Sequence, residues 1–216
     1  MPFNRVNRKP QSDLKNMHIS EPVWIIGRGP SLQYLKKEDI GDGVIIALNQ
    51  SIIIIESLNL PNKTYSMQKD GGTKKRVIEG ILSPDCYYSG LFCSDCGDMV
   101  RPKSATLLLH EHESKYCFPD YPDCYVLSLK ELGLECNVFS FIFAIKTAQY
   151  MGCLDFNFVS FDVYTSGDNK TYTPGEGVCV MKSRHFEDSP YKEQLDTIFP
   201  YIKELNRKWI LPEREE

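Results

Sequence analysis

The sequence predicts an α/β fold, a single Rossmann-like domain with a mainly parallel sheet flanked by helices. Three observations carry this. Short apolar runs recur, at Val23–Ile26, Val44–Leu48 and Phe156–Phe161 among others, and read as buried strands. Each stops abruptly in small or polar residues: Gly27-Arg28-Gly29, Asn49-Gln50-Ser51, Asp162. Between them lie segments of helical spacing, clearest over Asn137–Met151, so that strands alternate with helices as parallel sheets require.

Composition bounds the rest. With 216 residues, 42% hydrophobic and 25% charged, the chain can bury one sizeable core. Residues 1–20 lack apolar periodicity and carry Pro2 and Pro10, so 1–22 is expected to be a flexible tail preceding one domain over 23–216. A net charge of −4 supplies no bulk attraction to nucleic acid or anionic membrane, which points to small-molecule partners. No apolar run of about 18 residues exists and the N-terminus is polar, so no membrane span and a cytoplasmic location are expected. The eight cysteines read as reduced thiols in such a setting.

In chain order, strand one covers 23–27 and ends in Gly-x-Gly, where absent Cβ atoms permit close approach of a ligand to the backbone. Pro30 and Ser31 suit the opening of a helix, whose N-terminus would attract phosphate. A second strand spans Val44–Leu48, and Ile52–Ile55 with Glu56-Ser57-Leu58 is read as a buried helix. Thr64–Gln68 is a third strand leading into Lys69-Asp70-Gly71-Gly72. Residues 74–82 predict a short helix, and Tyr87–Cys93 and Thr106–His110 two further strands. The helix over Asn137–Met151 takes Gly152 as its C-cap. The strand Phe156–Phe161 delivers Asp162 and Tyr164 to its carboxyl end, the edge at which open α/β sheets bind ligands. A polar loop over Thr165–Gly177 is followed by a helical stripe within Ser189–Arg207, interrupted by Pro200, and a last short strand at Trp209–Leu211.

The string Gly27-Arg28-Gly29-Pro30-Ser31-Leu32 is more specific than Gly-x-Gly alone. It resembles the Gly-x-Gly-Pro-Ser-Leu opening of the small bacterial sialyltransferases and of a related family that includes archaeal 6-hydroxymethylpterin pyrophosphokinases. The resemblance resumes at Ala47-Leu48-Asn49-Gln50-Ser51 and over 139–172. It implies that Gly27, Arg28, Gly29, Ser31, Asn49, Ser140 and Asp162 surround a nucleotide, that Tyr164 and Tyr172 act on its phosphate, and that His185 is the catalytic base, with Asp188 aligned about as well. Arg28 stands where the family carries a small polar residue, and a guanidinium there could grip phosphate bidentately. Phe141 stands where the family has glycine.

The favoured reading is therefore a nucleotide-sugar-dependent glycosyltransferase, sialyltransferase-like and metal-independent, with a nucleotide or nucleotide-sugar and a small-molecule or glycan acceptor as partners and no cofactor required. On the alternative reading, an ATP-dependent pyrophosphokinase-like transferase, Asp70 and Asp162 could hold Mg²⁺ against a diphosphate. A third, from another class, is a non-catalytic nucleotide- or zinc-binding module. Cys93-Ser94-Asp95-Cys96-Gly97 has the form of half a zinc site, with His110, His112 and Cys117 downstream, but no second Cys-x-x-Cys completes it, which argues against zinc. The segment from Cys86 to Cys124 is otherwise unassigned.

Overall fold

The computed structural model describes residues 8–68, 102–111, 121, 123–134, 139–165, 170–173, 177–180 and 191–213. The predicted helix at 74–82 and strand at 87–93 lie outside these residues.

The apolar runs form a sheet of eight strands: β1 (Arg8–Pro10), β2 (Val23–Ile26), β3 (Val44–Leu48), β4 (Thr64–Gln68), β5 (Thr106–His110), β6 (Cys124–Leu127), β7 (Asp155–Val159) and β10 (Asn206–Ile210), in the order β1-β6-β5-β4-β3-β2-β7-β10. Every neighbouring pair is parallel. β2 and β3 are buried at every position, as strands covered on both faces must be. Their alternate side chains separate into two cores. Val23, Ile25, Val44, Ile46 and Phe158 face helix α2 (Ser140–Met151), which contributes Phe141, Ile145 and Ala148. Trp24, Ile26, Ile45, Ala47 and Val159 face helix α1 (Ser51–Ser57), which contributes Ile52 and Ile55. The tetra-isoleucine run, ambiguous by periodicity alone, is thus helical, as the Glu56-Ser57-Leu58 that follows it suggested.

Helix α2 ends as predicted. Gly152 adopts φ 93°, its N–H bonds to Gln149 O at 3.0 Å and the Cys153 N–H to Ala148 O at 3.0 Å, the paired bonds of a Schellman cap. A short helix α3 (Asp162–Thr165) follows β7, and α4 (Tyr191–Ile202) carries Pro200 within its last turn.

Three elements depart from the sequence reading. The segment after Gly29 is not an α-helix but a 3-10 turn over Pro30–Tyr34, which Leu35, in extended conformation, ends. The stretch read as a flexible tail is tied down over its described part. β1 pairs with β6, Leu14 is fully buried, and the N–H groups of Asn16, His18 and Ser20 bond to Tyr150, Met151 and Gly152 carbonyls at 2.8–3.0 Å. These anchors are backbone bonds and single side chains, which leave no periodic apolar signature. Finally, the polar loop contains an antiparallel pair, β8 (Lys170–Thr173) and β9 (Gly177–Val180). Thr171-Tyr172-Thr173 and Val178-Cys179-Val180 are β-formers on either side of Pro174-Gly175, a hairpin signal within a polar stretch. β8 lies against the 30–34 turn.

Candidate functional site

The strand order reverses at one place. From β2 the chain lays down β3, β4, β5 and β6 to one side, then returns through α2 to place β7 on the other side of β2. Loops diverge from such a reversal, leaving a crevice at the carboxyl ends of the two strands, where ligands of open α/β sheets bind. Here the two loops are Gly27–Ser31 and Ser160–Asp162.

The loops are bonded to each other. Gly27 N–H donates to Val159 O at 2.8 Å and Gly29 N–H to Ser160 O at 2.7 Å. Ser31 donates twice to the Asp162 carboxylate, from N–H to Oδ1 at 3.0 Å and from Oγ to Oδ2 at 2.8 Å. This contact explains both glycines. A Cβ on Gly27 would sit 2.6 Å from Ser160 O, and one on Gly29 would sit 1.9 Å from Asp162 Oδ2 and 2.7 Å from Ser160 O. The missing Cβ atoms therefore admit the turn after β7, where the sequence suggested they admit a ligand. Three backbone N–H groups of the loop point at that turn, and Pro30 has none to offer. The 3-10 turn is capped by a carboxylate of the chain itself, so the expected phosphate site on its N-terminus is filled.

What the edge leaves open is side-chain chemistry. Asn49 (φ 52°) and Ser160 (φ 57°), the residues that follow β3 and β7, both adopt the left-handed conformation. Non-glycine residues held there cost of order 1–3 kcal/mol and cluster at ligand sites. Asn49 Oδ1, Ser160 Oγ and, at the end of β4, Gln68 Oε1 are buried without a hydrogen-bond partner among the described residues. Gln68 Nε2 is held by Ser66 Oγ at 2.8 Å, which fixes where its carbonyl points. Ser51 Oγ donates to Leu48 O at 2.8 Å and to Ile26 O at 3.1 Å, tying the ends of β2 and β3 together. Arg28 is half-buried between the two glycines.

Of the other predicted residues, Ser140 is the first residue of α2, preceded by Phe139 as an N-cap without a side-chain bond, and antiparallel packing brings that helix end to the carboxyl edge. Phe141 turns inward. It is 3% exposed and packs on Phe158, Phe161 and Tyr164 with ring centroids 4.8, 4.2 and 5.6 Å away, so the larger residue fills core space and does not block the crevice. Tyr164, half-buried at the end of α3, stacks on Phe141 and Phe161 and lies 6.4 Å from Trp209. Tyr172 belongs to β8. His185, Asp188, Asp70, Cys93, Cys96, His112 and Cys117 lie outside the described residues. His110 closes β5, is 8% exposed and meets Phe143 edge-on.

No protein-family model matches the chain, and no curated protein matches it. Among solved structures it is similar to the sialyltransferase CstII from Campylobacter jejuni, in complex with a substrate analogue, cytidine-5'-monophosphate. The similarity covers 90% of this chain and 82% of that one, at 12% identity and a TM-score of 0.42.

A cavity of about 440 Å³ lies at the opposite, amino edge, lined by Glu56, Asn62, Lys63, Thr64 and Ser104 among others. Its carboxylate is already satisfied, since Glu56 accepts bonds from the N–H groups of Lys103, Ser104 and Ala105 at 2.8–3.1 Å. It holds the chain entering β5, and among the described residues no side chain lining this cavity has a buried polar atom without a partner, whereas the carboxyl edge has several. Ser160 was missed in the sequence. Its signal was a polar residue ending an apolar strand, the same signal that drew attention to Asn49.

Proposed function

We propose that the protein binds a nucleotide-sugar at the carboxyl edge of the sheet, beside the joined loops after β2 and β7, and transfers the sugar to an acceptor hydroxyl without a metal ion. The observation that carries the ligand site is the group of buried polar atoms on Asn49, Gln68 and Ser160, without a hydrogen-bond partner among the described residues, along one sheet edge. Each costs about 1–3 kcal/mol if left unsatisfied, so a polar ligand that pairs them gains what the empty fold forgoes. The nature of the ligand follows from the resemblance of Gly27–Leu32, Ala47–Ser51 and 139–172 to the sialyltransferases.

On this reading Asn49 bonds the nucleoside, Arg28 neutralises phosphate charge, and Ser140 with the first N–H groups of α2 receives phosphate oxygens. Transfer breaks the bond between the anomeric carbon and the phosphate oxygen, which leaves with the electron pair. Tyr164 and Tyr172 donate hydrogen bonds to that oxygen as charge develops on it. The acceptor hydroxyl forms the new bond and gives its proton to His185.

The test is a thermal-shift screen against CMP, UDP, GDP, ADP and their sugars, followed by turnover of whichever nucleotide-sugar binds. A ligand at 100 times its Kd adds about 2.7 kcal/mol, which raises Tm by several degrees in a domain of this size. Stabilisation by one nucleotide together with release of its sugar to an acceptor is the expected result. Diphosphate transfer from ATP in Mg²⁺ would assign the site to the pyrophosphokinase alternative, and the absence of any nucleotide effect would remove both.

A further inference from the structure

The contact between Ser31 and Asp162 joins residues 131 positions apart in sequence and carries a charged side chain from one loop to the other. Asp162 is 9% exposed and Ser31 7%. Both carboxylate oxygens are engaged by the same residue, and the third side of the carboxylate is closed by Gly29, where no side chain fits. Two backbone bonds, from Gly27 and Gly29, run parallel to it. Together these bonds fix how the two loops sit against each other at the carboxyl edge.

We infer that Asp162 is a positioning residue: its carboxylate locks the loop after β2 onto the turn after β7 and so sets the geometry of the crevice. This rests on the nucleotide reading above. The polypeptide supplies its own anion to the N-terminus of the 30–34 turn, and the ligand's phosphate is left to Arg28 and the start of α2. Ser31, in turn, acts through Asp162, because its N–H and hydroxyl are both spent on the carboxylate. The glycine between them is a packing requirement of that lock.

Placement matters steeply in such sites, since a shift of about 1 Å in a supporting element can cost up to about a hundredfold in function. Removing the carboxylate should therefore weaken ligand binding in a protein that still folds, and a small external carboxylate should refill the vacated position. The experiment compares wild type, Asp162→Ala, Ser31→Ala and the double variant. Tm is followed in sodium formate and in sodium chloride of equal ionic strength. The Kd of CMP, UDP, GDP and ADP is measured by calorimetry at a temperature where circular dichroism shows each protein folded.

The expected result is that formate raises the Tm of Asp162→Ala and not that of wild type. For the nucleotide that wild type binds, Kd should weaken about tenfold or more in Asp162→Ala and recover with formate. Ser31→Ala should weaken it less and add nothing in the double variant, because residues acting through one contact are not additive. Wild-type affinity in folded Asp162→Ala, no formate-specific stabilisation, or a further loss in the double variant would overturn the assignment. Should Asp162→Ala fail to fold, Ser31→Ala carries the test, and unchanged affinity there overturns it. If wild type binds none of the nucleotides, the proposed function fails while the formate comparison still decides whether the carboxylate locks the loops.

Discussion

Asn49 combines two costs at a single residue, a left-handed backbone and a buried carbonyl oxygen without a partner among the described residues. Glycine relieves both, since it takes φ 52° freely and carries no amide. Asn49→Gly is therefore expected to raise unfolding free energy by about 1 kcal/mol or more, since the relief exceeds the roughly 0.4–1 kcal/mol that glycine adds to the freedom of the unfolded chain. Nucleotide affinity should fall about tenfold with the lost contact. Denaturant titration and calorimetry check the two halves separately. A destabilised variant with intact binding would mean that Asn49 serves the fold alone. The sequence pointed to this residue through its place just after an apolar strand, Val44–Leu48, and through the resemblance at Ala47–Ser51. It could not expose the Ser31–Asp162 contact in the same way. Gly29 declares a crowded backbone, but nothing local says that the crowding group is a carboxylate 133 residues onward.

At the scale of elements, the short edge strand β1 shows how a segment without apolar pattern is held. Lys9 Nζ lies 2.6 Å from Asp123 Oδ1, Thr106 Oγ1 donates to Asp123 Oδ2 at 2.5 Å, and Lys63 Nζ stands 3.5 Å from that same oxygen. Burial alone would raise the Asp123 pKa, but the hydrogen bonds from Lys9 and Thr106 and the charge of Lys63 outweigh it and hold it below the ordinary value. A carboxylate lowered in the folded state contributes stability above its unfolded pKa of about 3.9, and that contribution is lost as pH falls through the folded value. Beyond β1 the Ser128 N–H donates to Gln11 Oε1 at 2.7 Å, so that amide reports whether the segment is seated. Its hydrogen-exchange protection should drop in Asp123→Asn at neutral pH, and in wild type below about pH 4. Equal protection in variant and wild type would show that the backbone pairing of β1 suffices. The hairpin β8–β9 was overlooked for a related reason. Its β-formers are interleaved with polar residues, and composition masked the alternation.

For the whole molecule, the parallel architecture was legible because strands buried on both faces must be apolar throughout, and β2 and β3 are. The order of the strands was not, since apolar runs do not name their neighbours. That order decides the site. Only with β7 beside β2 do the Gly-x-Gly loop and the Ser160–Asp162 turn meet at a reversal, with Asn49 and Gln68 next along the same edge. The amino edge offers the competing location, the cavity beside Asn62, Lys63 and Ser104. The two edges are separated by the length of the strands, so a bound ligand perturbs one or the other. The most direct measurement is titration of isotopically labelled protein with the nucleotide found by thermal shift, followed through backbone amide chemical shifts. The account predicts that the largest changes fall on Gly27–Ser31, Asn49–Ser51, Ser140 and Ser160–Tyr164, with Asn59–Thr64 and Ser104 unmoved. Changes concentrated on Asn59–Thr64 and Ser104 instead would contradict it.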